Sequence, residues 1–187
     1  ILFEPSFCVP TKLKLLHASR CNHLGNEALG YIISSCGDTL EDLKISGSVV
    51  DEMFSLISLT KNLKSLHCIY GCTRQPGSSI DFLSCIGQLN QLERLTLHES
   101  DALYGSLDDR GLKSIMKGCS KLKTLDIHLG NGEDILITDS SMVHIADLLP
   151  QIEILNIINA EGLTNRSLFA ISRLRNLKVL DLTNFFA

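Results

Sequence analysis

Apolar residues in this chain keep returning to one short phrase. In Leu122-Lys-Thr-Leu125-Asp-Ile127 the first, fourth and sixth positions are aliphatic and those between are polar. The phrase recurs at Leu13 and Leu16; at Leu40, Leu43 and Ile45; at Leu63, Leu66 and Cys68; and at Leu92, Leu95 and Leu97. It appears again at Ile152, Leu155 and Ile157, and at Leu177, Leu180 and Leu182. The anchors at 13, 40, 63, 92, 122, 152 and 177 are 27, 23, 29, 30, 30 and 25 residues apart. Alternation at the end of the phrase predicts a short strand with its aliphatic residues inward. Between phrases the apolar spacing turns helical, as in Leu112, Ile115 and Met116, or Met142, Ile145 and Leu149. One strand and one helix cannot cover their own apolar faces, so such units stack and share a continuous core. The expected architecture is an α/β solenoid shaped as a horseshoe. Parallel strands line its concave side and helices its convex side, as a single domain over residues 1–187.

Asn26, Asp51, Asp81, Asp109, Asp139 and Asn165 open the expected helices. A short side-chain acceptor there satisfies first-turn N–H groups, for about 1 kcal/mol per helix. From anchor to opener the distances are 13, 11, 18, 17, 17 and 13 residues. The three middle repeats thus carry extra residues at 71–79, 99–106 and 130–134, in phase and so expected along one rim. Loops accept insertions at small entropic cost; three enlarged neighbours would also shape a binding edge. Pro5 and Pro10 keep residues 1–12 from forming a long helix, leaving an irregular cap or the tail of an earlier repeat. Phe185 and Phe186 either cover the last core layer or begin an eighth repeat; the second is favoured, which makes the chain part of a longer protein.

Composition narrows the function. Apolar residues are 44% of the chain, aromatics 5%, and Trp is absent, which suits a leucine-driven stack. The net charge of −4 gives no electrostatic case for nucleic acid or an anionic membrane. No apolar run reaches the roughly 18 residues of a membrane helix, and Ile1 to Pro5 show no basic leader pattern. The seven cysteines, at 8, 21, 36, 68, 72, 85 and 119, mostly follow repeat register. They are expected to be small buried hydrophobes in a reducing compartment, cytoplasmic or nuclear. Without a signal peptide, the sequon Asn165-Arg-Ser167 is not expected to be used. Nucleophile-elbow, phosphate-loop, His-Glu-x-x-His and Cys-x-x-Cys motifs are absent, so no enzyme, cofactor or metal is expected. Asp108 and Asp109 are adjacent carboxylates, most simply read as helix caps.

Repeat one runs Leu13, Leu16, Cys21-Asn-His-Leu-Gly-Asn26-Glu-Ala-Leu29 and on to Cys36, and Ile137-Thr-Asp139 and Leu163-Thr-Asn165 echo its middle. This resembles the cysteine-containing subfamily of leucine-rich repeats, found chiefly in F-box/leucine-rich-repeat proteins. The resemblance implies a protein-binding module, the substrate-recognition part of a cullin-type ubiquitin ligase adaptor. Ser48, Ser100, Gly130 and Ala160 replace the central Cys in four repeats. No F-box lies within the 187 residues, so contact with ligase subunits would need a further segment. The variable spacing is also similar to the ligand-sensing repeats of cytosolic NOD-like innate-immune receptors, which is the alternative. A third class, also seen among F-box relatives, senses small molecules beneath enlarged loops.

Residues between the leucines are expected on the concave face. Lys14, Arg20, Lys44, Lys64, Arg94, Lys123 and Lys178 balance Glu41, Asp42, Glu93, Glu99, Asp126, Glu153 and Asp181, which suits a protein partner better than a phosphate backbone. His17, His67, His98 and His128 also fall there, the last two in one column on strands about 4.8 Å apart. That pair lacks a third ligand and is read as a surface that meets a partner. Leu129, Ile154, Ile158 and Val179 form an expected exposed apolar patch, unless the phase is shifted and one or two belong to the core. The expected partner-binding set is His67, Tyr70, Arg94, His98, Asp126, His128, Leu129, Ile154, Ile158 and Val179, with the enlarged rim loops beside it.

Overall fold

The computed structural model describes residues 10–19, 21, 26–47, 55–70, 82–99, 107–130 and 137–183. Strands β1 (Leu15–Ala18), β2 (Asp42–Gly47), β3 (Ser65–Tyr70), β4 (Arg94–Glu99), β5 (Thr124–His128), β6 (Ile154–Ile158) and β7 (Val179–Asp181) follow the repeated phrase. Between them lie α1 (Asn26–Cys36), a helical segment at 55–57 (α2), α3 (Phe82–Ile86), α4 (Asp109–Gly118), α5 (Asp139–Leu148) and α6 (Asn165–Ile171). The strands form one sheet in chain order, and every neighbouring pair is parallel. The chain is a leucine-rich repeat solenoid.

Register shows why the phrase is spaced as it is. Leu16, Leu43, Leu66, Leu95, Leu125, Leu155 and Leu180 stand opposite one another across all seven strands. The five middle members are buried, as are the anchors Leu40, Leu63, Leu92, Leu122 and Ile152. Each fully buried leucine contributes about 1.5–3 kcal/mol of transfer free energy. Leu180, on β7 with one strand neighbour, is exposed. On the convex side α4 buries Leu112, Ile115 and Met116, and α5 buries Met142, Ile145 and Ala146. Close packing there leaves no room at Gly118, where an added Cβ would lie 1.5 Å from the Gly87 carbonyl oxygen.

Helices α1, α4, α5 and α6 begin at the expected openers Asn26, Asp109, Asp139 and Asn165, but where the cap is defined it lies one residue earlier. The caps of α4, α5 and α6 are Asp108, Thr138 and Thr164, each just before the expected opener. The displaced aspartates reach sideways instead. Asp109 Oδ1 accepts from Thr138 N–H at 2.9 Å and from the Ser141 hydroxyl, while Oδ2 accepts from the Thr138 hydroxyl at 2.6 Å. Thr138 Oγ1 in turn accepts from Ser140 N–H and caps α5. Asp139 repeats the pattern one unit on, accepting from Thr164 N–H, the Thr164 hydroxyl and the Ser167 hydroxyl. Each aspartate thereby fixes the cap of the next helix. Burial raises the Asp109 carboxyl, but the Ser141 and Thr138 hydrogen bonds outweigh it and leave the group below its ordinary range. The Ser167 and Thr164 hydrogen bonds lower Asp139 to about 2. Asp51 and Asp81, also expected as openers, lie outside the described residues.

The cysteines divide. Cys36, Cys68, Cys85 and Cys119 are buried, Cys68 in a strand slot opposite Ile45 and Leu97. At the ends of α1 and α4, Cys36 Sγ donates to Pro10 C=O and Cys119 Sγ to Ile86 C=O, tying each helix end to the preceding unit. Burial pushes the Cys119 thiol up to about 12. Cys21 departs from the expectation for register cysteines: it is exposed. The helix-end cysteines Cys36 and Cys119, by contrast, face the adjoining repeat. Cys8, Cys72, residues 71–79, most of the enlarged loops at 99–106 and 130–134, and Phe185 and Phe186 lie outside the described residues.

Candidate interaction face

Lys14, Glu41, Lys64, Glu93, Lys123, Glu153 and Lys178 each follow an anchor, so they stack in one row with alternating sign at the entrance to the strands. Their carbonyls hold the row in register: Lys64 C=O accepts from both Glu93 N–H and Arg94 N–H, and the pattern repeats along the stack. Glu41 bridges Lys14 at 2.9 Å and Lys64 at 2.7 Å. Glu93 pairs with Lys123 at 2.9 Å and Glu153 with Lys178 at 2.6 Å. Hydrogen bonds from Lys64 and Lys14 hold Glu41 at about 2, and those from Lys123 and Lys178 lower Glu93 and Glu153. These residues were expected on the concave face proper. They occupy its rim instead, and their charges satisfy one another.

The face itself carries three rows. The first runs Leu15, Asp42, Ser65, Arg94, Thr124, Ile154 and Val179; the second His17, Lys44, His67, Thr96, Asp126, Asn156 and Asp181. Ser46, Ile69, His98, His128 and Ile158 form the third. His17 Nε2 lies 2.9 Å from Asp42 Oδ1, and the exposed Arg94 guanidinium lies 3.9 Å from the other Asp42 oxygen. Asp181 is lowered by hydrogen bonds from the Thr183 hydroxyl and N–H.

Four expected residues come together at the centre. His98 and His128 stand opposite each other in the β4–β5 ladder, with ring centroids 4.9 Å apart and planes inclined by 35°. His128 Nε2 lies 3.1 Å from Asp126 Oδ1. His67 sits in the row of Asp126, and its Nε2 is buried with no hydrogen-bond partner in the protein. Burial first, and then the Lys44 charge, lower the His67 imidazole, against the pull of Asp126. Asn156 Oδ1, beside Asp126 on β6, is also buried without a partner.

The apolar end is smaller than expected. Ile158 is only 8% exposed, so it is not part of an open patch. Leu129 is half-buried and packs on the core, continuing the ladder through its N–H to Ile158 C=O. Ile154 is half-buried, and Val179 is 46% exposed. After Ile158 the chain turns: Asn159 takes φ 65° and donates through Nδ2 to Leu129 C=O. Tyr70 closes β3 opposite Glu99, and its side chain lies outside the described residues. Among the described residues no group of three or more His, Cys, Asp or Glu is placed to hold a metal ion, and no helix is long and apolar enough to cross a membrane.

No family model matches the chain, and no curated protein matches it. Among solved structures it is similar to a chain in the crystal structure of the Rad7 and Elc1 complex in yeast, with a TM-score of 0.58 and 17% sequence identity. That match covers 91% of this chain and 50% of the other, so this chain spans about half the length of its neighbour. At this identity the likeness concerns the fold, and it agrees with a solenoid of parallel strands and outer helices.

Proposed function

We propose that the chain is a protein-interaction module whose concave face, with the enlarged rim loops beside it, holds another protein. The observation that carries this reading is the ordered sheet face itself. Seven parallel strands present charged, imidazole and aliphatic side chains in fixed rows, some of them lacking partners within the protein. Mixed chemistry of this kind suits a folded partner's surface. His67, Tyr70, Arg94, His98, Asp126, His128, Ile154 and Val179 are the proposed contacts, with Leu129 and Ile158 supporting them from below. The similar yeast structure is of a protein in complex with another, which supports the same direction.

More finely, the chain is the substrate-recognition part of a cullin-type ubiquitin ligase adaptor, in the manner of cysteine-containing leucine-rich repeats. The five described cysteines are unbridged, which supports a reducing compartment, cytoplasmic or nuclear. The test is photo-crosslinking in cells from Arg94, Ile154 or Val179 in the natural full-length protein, with Lys117 and Arg166 on the helix side as controls. Capture from the concave positions alone is expected, together with cullin subunits. Capture only from the helix side refutes the interaction face, and a captured partner without ligase subunits refutes the adaptor role.

A further inference from the structure

The helix side carries a pattern of its own. Helices α4, α5 and α6 start at equivalent points, and Asp109 and Asp139 tie each to the next in that register. Positions two, five and nine from each start fall on one face, because a helical turn takes 3.6 residues. In α4 these are Arg110, Lys113 and Lys117, and in α5 Ser140, Val143 and Asp147. In α6 they are Arg166 and Phe169, with Arg173 just beyond its end. The buried residues of α4 and α5 lie on the opposite face. Across the helices Lys113, Val143 and Phe169 form the middle row, in which Val143 is 40% and Phe169 75% exposed. Arg173 pairs with Asp147, and Arg110 lies 3.7 Å from Asp108. Among the described residues no carboxylate pairs with Lys113, Lys117, Arg166 or Arg175, and Glu161, in the connection before α6, is exposed nearby. Positive charge is thus in local excess on a chain of net charge −4. The net value hides it, whereas a docking surface responds to the local potential.

We infer that the outer face of α4, α5 and α6 docks on an anionic lipid bilayer, with Phe169 and Val143 entering the headgroup layer between the basic residues. Lysine and arginine lay their stems along apolar surface and hold their charge at the level of the lipid phosphates. Phe169 and Val143 leave water in the same movement. A nucleic-acid backbone would offer the Val143 side chain nothing to bind. An acidic peptide is held in a groove or along a sheet edge, and helices on the convex side of a solenoid send their side chains outward instead of enclosing a segment. The concave sheet face points away from the bilayer in this arrangement and stays open to a protein, so both surfaces can be occupied together.

The test is cosedimentation of the full chain with vesicles of phosphatidylcholine alone, or with about 30% phosphatidylserine, at about 0.1 M salt. Partition onto the anionic vesicles alone is expected, weakened at least about tenfold when salt reaches about 0.5 M. Lys113→Gln/Lys117→Gln should weaken it about 25-fold, at about fivefold for each charge removed. Arg166→Gln/Arg175→Gln repeats that test on the other side of α5, and Phe169→Ser should cost about tenfold. Lys12→Gln/Lys44→Gln changes the net charge equally away from these helices and should leave partition within about twofold. Circular dichroism checks that each variant folds. No partition, equal partition onto neutral vesicles, unchanged partition in the helix variants, or an equal loss in the Lys12/Lys44 control overturns the proposal. Displacement from the vesicles by a stoichiometric duplex oligonucleotide or by octaglutamate also overturns it and assigns the face to nucleic acid or to an acidic protein.

Discussion

Asp109→Ala isolates the coupling between adjacent helices. The substitution leaves three donors of the next unit without their acceptor: Thr138 N–H, the Thr138 hydroxyl and the Ser141 hydroxyl. Ser141 is fully buried, so its hydroxyl cannot turn to water. A buried donor left alone costs about 1–3 kcal/mol; the two half-exposed Thr138 donors recover some solvent and cost less. Thr138 also loses the contact that orients it over Ser140 N–H, weakening a cap of about 1 kcal/mol. Relief of the carboxylate's own burial opposes these losses, and the net is about 3 kcal/mol. In a chain of this length each kcal/mol shifts Tm by about 2–4 °C, so a fall of about 6–12 °C is expected. Urea unfolding followed by circular dichroism gives the free energy directly. Asp109→Asn keeps one acceptor oxygen and should cost about half as much. Ser141→Ala alone and combined with Asp109→Ala completes a cycle in which the coupling should be about 1 kcal/mol or more. An Asp109→Ala variant within about 0.5 kcal/mol of the parent, or strictly additive double substitution, would refute the coupling.

Gly118→Ala forces a methyl group onto the Gly87 carbonyl and should cost about 3 kcal/mol or prevent folding, read from soluble yield and melting. Glu93→Lys places three lysines in line with Lys64 and Lys123; Tm should fall by about 2–4 °C in low salt, and the loss should shrink near 1 M salt, where the screening length is ~3 Å. Glu41 and Asp139 are both depressed to about 2 in the folded chain, so the stability they supply is complete above about pH 5 and is lost as pH falls toward about 2. Melting across that range should show a steady decline, reduced in slope by Asp139→Asn. Of the described cysteines, Cys21 should react fastest with a thiol reagent in the native state, while Cys36, Cys68 and Cys119 wait for unfolding.

Much of the fold was legible because burial imposes a period. Leu43, Leu66, Leu95, Leu125 and Leu155 must meet in one core layer, so their spacing alone places the strands and their parallel order. The histidine column was legible for the same reason, since equal offsets from successive anchors become neighbours. The helix starts were legible, but the capping role was placed one residue late, because only the stack shows that Asp109 and Asp139 serve the following unit. Thr-Asp-x-Ser at Thr138 to Ser141, echoed as Thr-Asn-x-Ser at Thr164 to Ser167, was the available signal. The alternating Lys and Glu after each anchor was visible too, but only when the residues are read down the stack rather than along the chain. Ile158 could not be resolved from sequence: it shares the register of His128 on the sheet face and is nonetheless buried.

Rows that repeat along this solenoid satisfy themselves. Lysine answers glutamate at the strand entrance, and aspartate answers threonine and serine at the helix starts. Among the described residues, the Lys and Glu of the first row and Asp109 and Asp139 of the second have their complements one unit away, so a partner would gain little by displacing them. On the sheet face the pattern breaks: Lys44, His67, Thr96, Asp126, Asn156 and Asp181 share a row without a common chemistry. There the repeat cannot supply the missing partners, and His67 Nε2 and Asn156 Oδ1 are left without them on either side of Asp126. A buried polar atom costs free energy until something pairs with it, so specific binding is best placed where the sequence stops repeating. Swapping the second-row residues between neighbouring strands should therefore change partner choice, whereas swapping equivalent leucines should change nothing but stability.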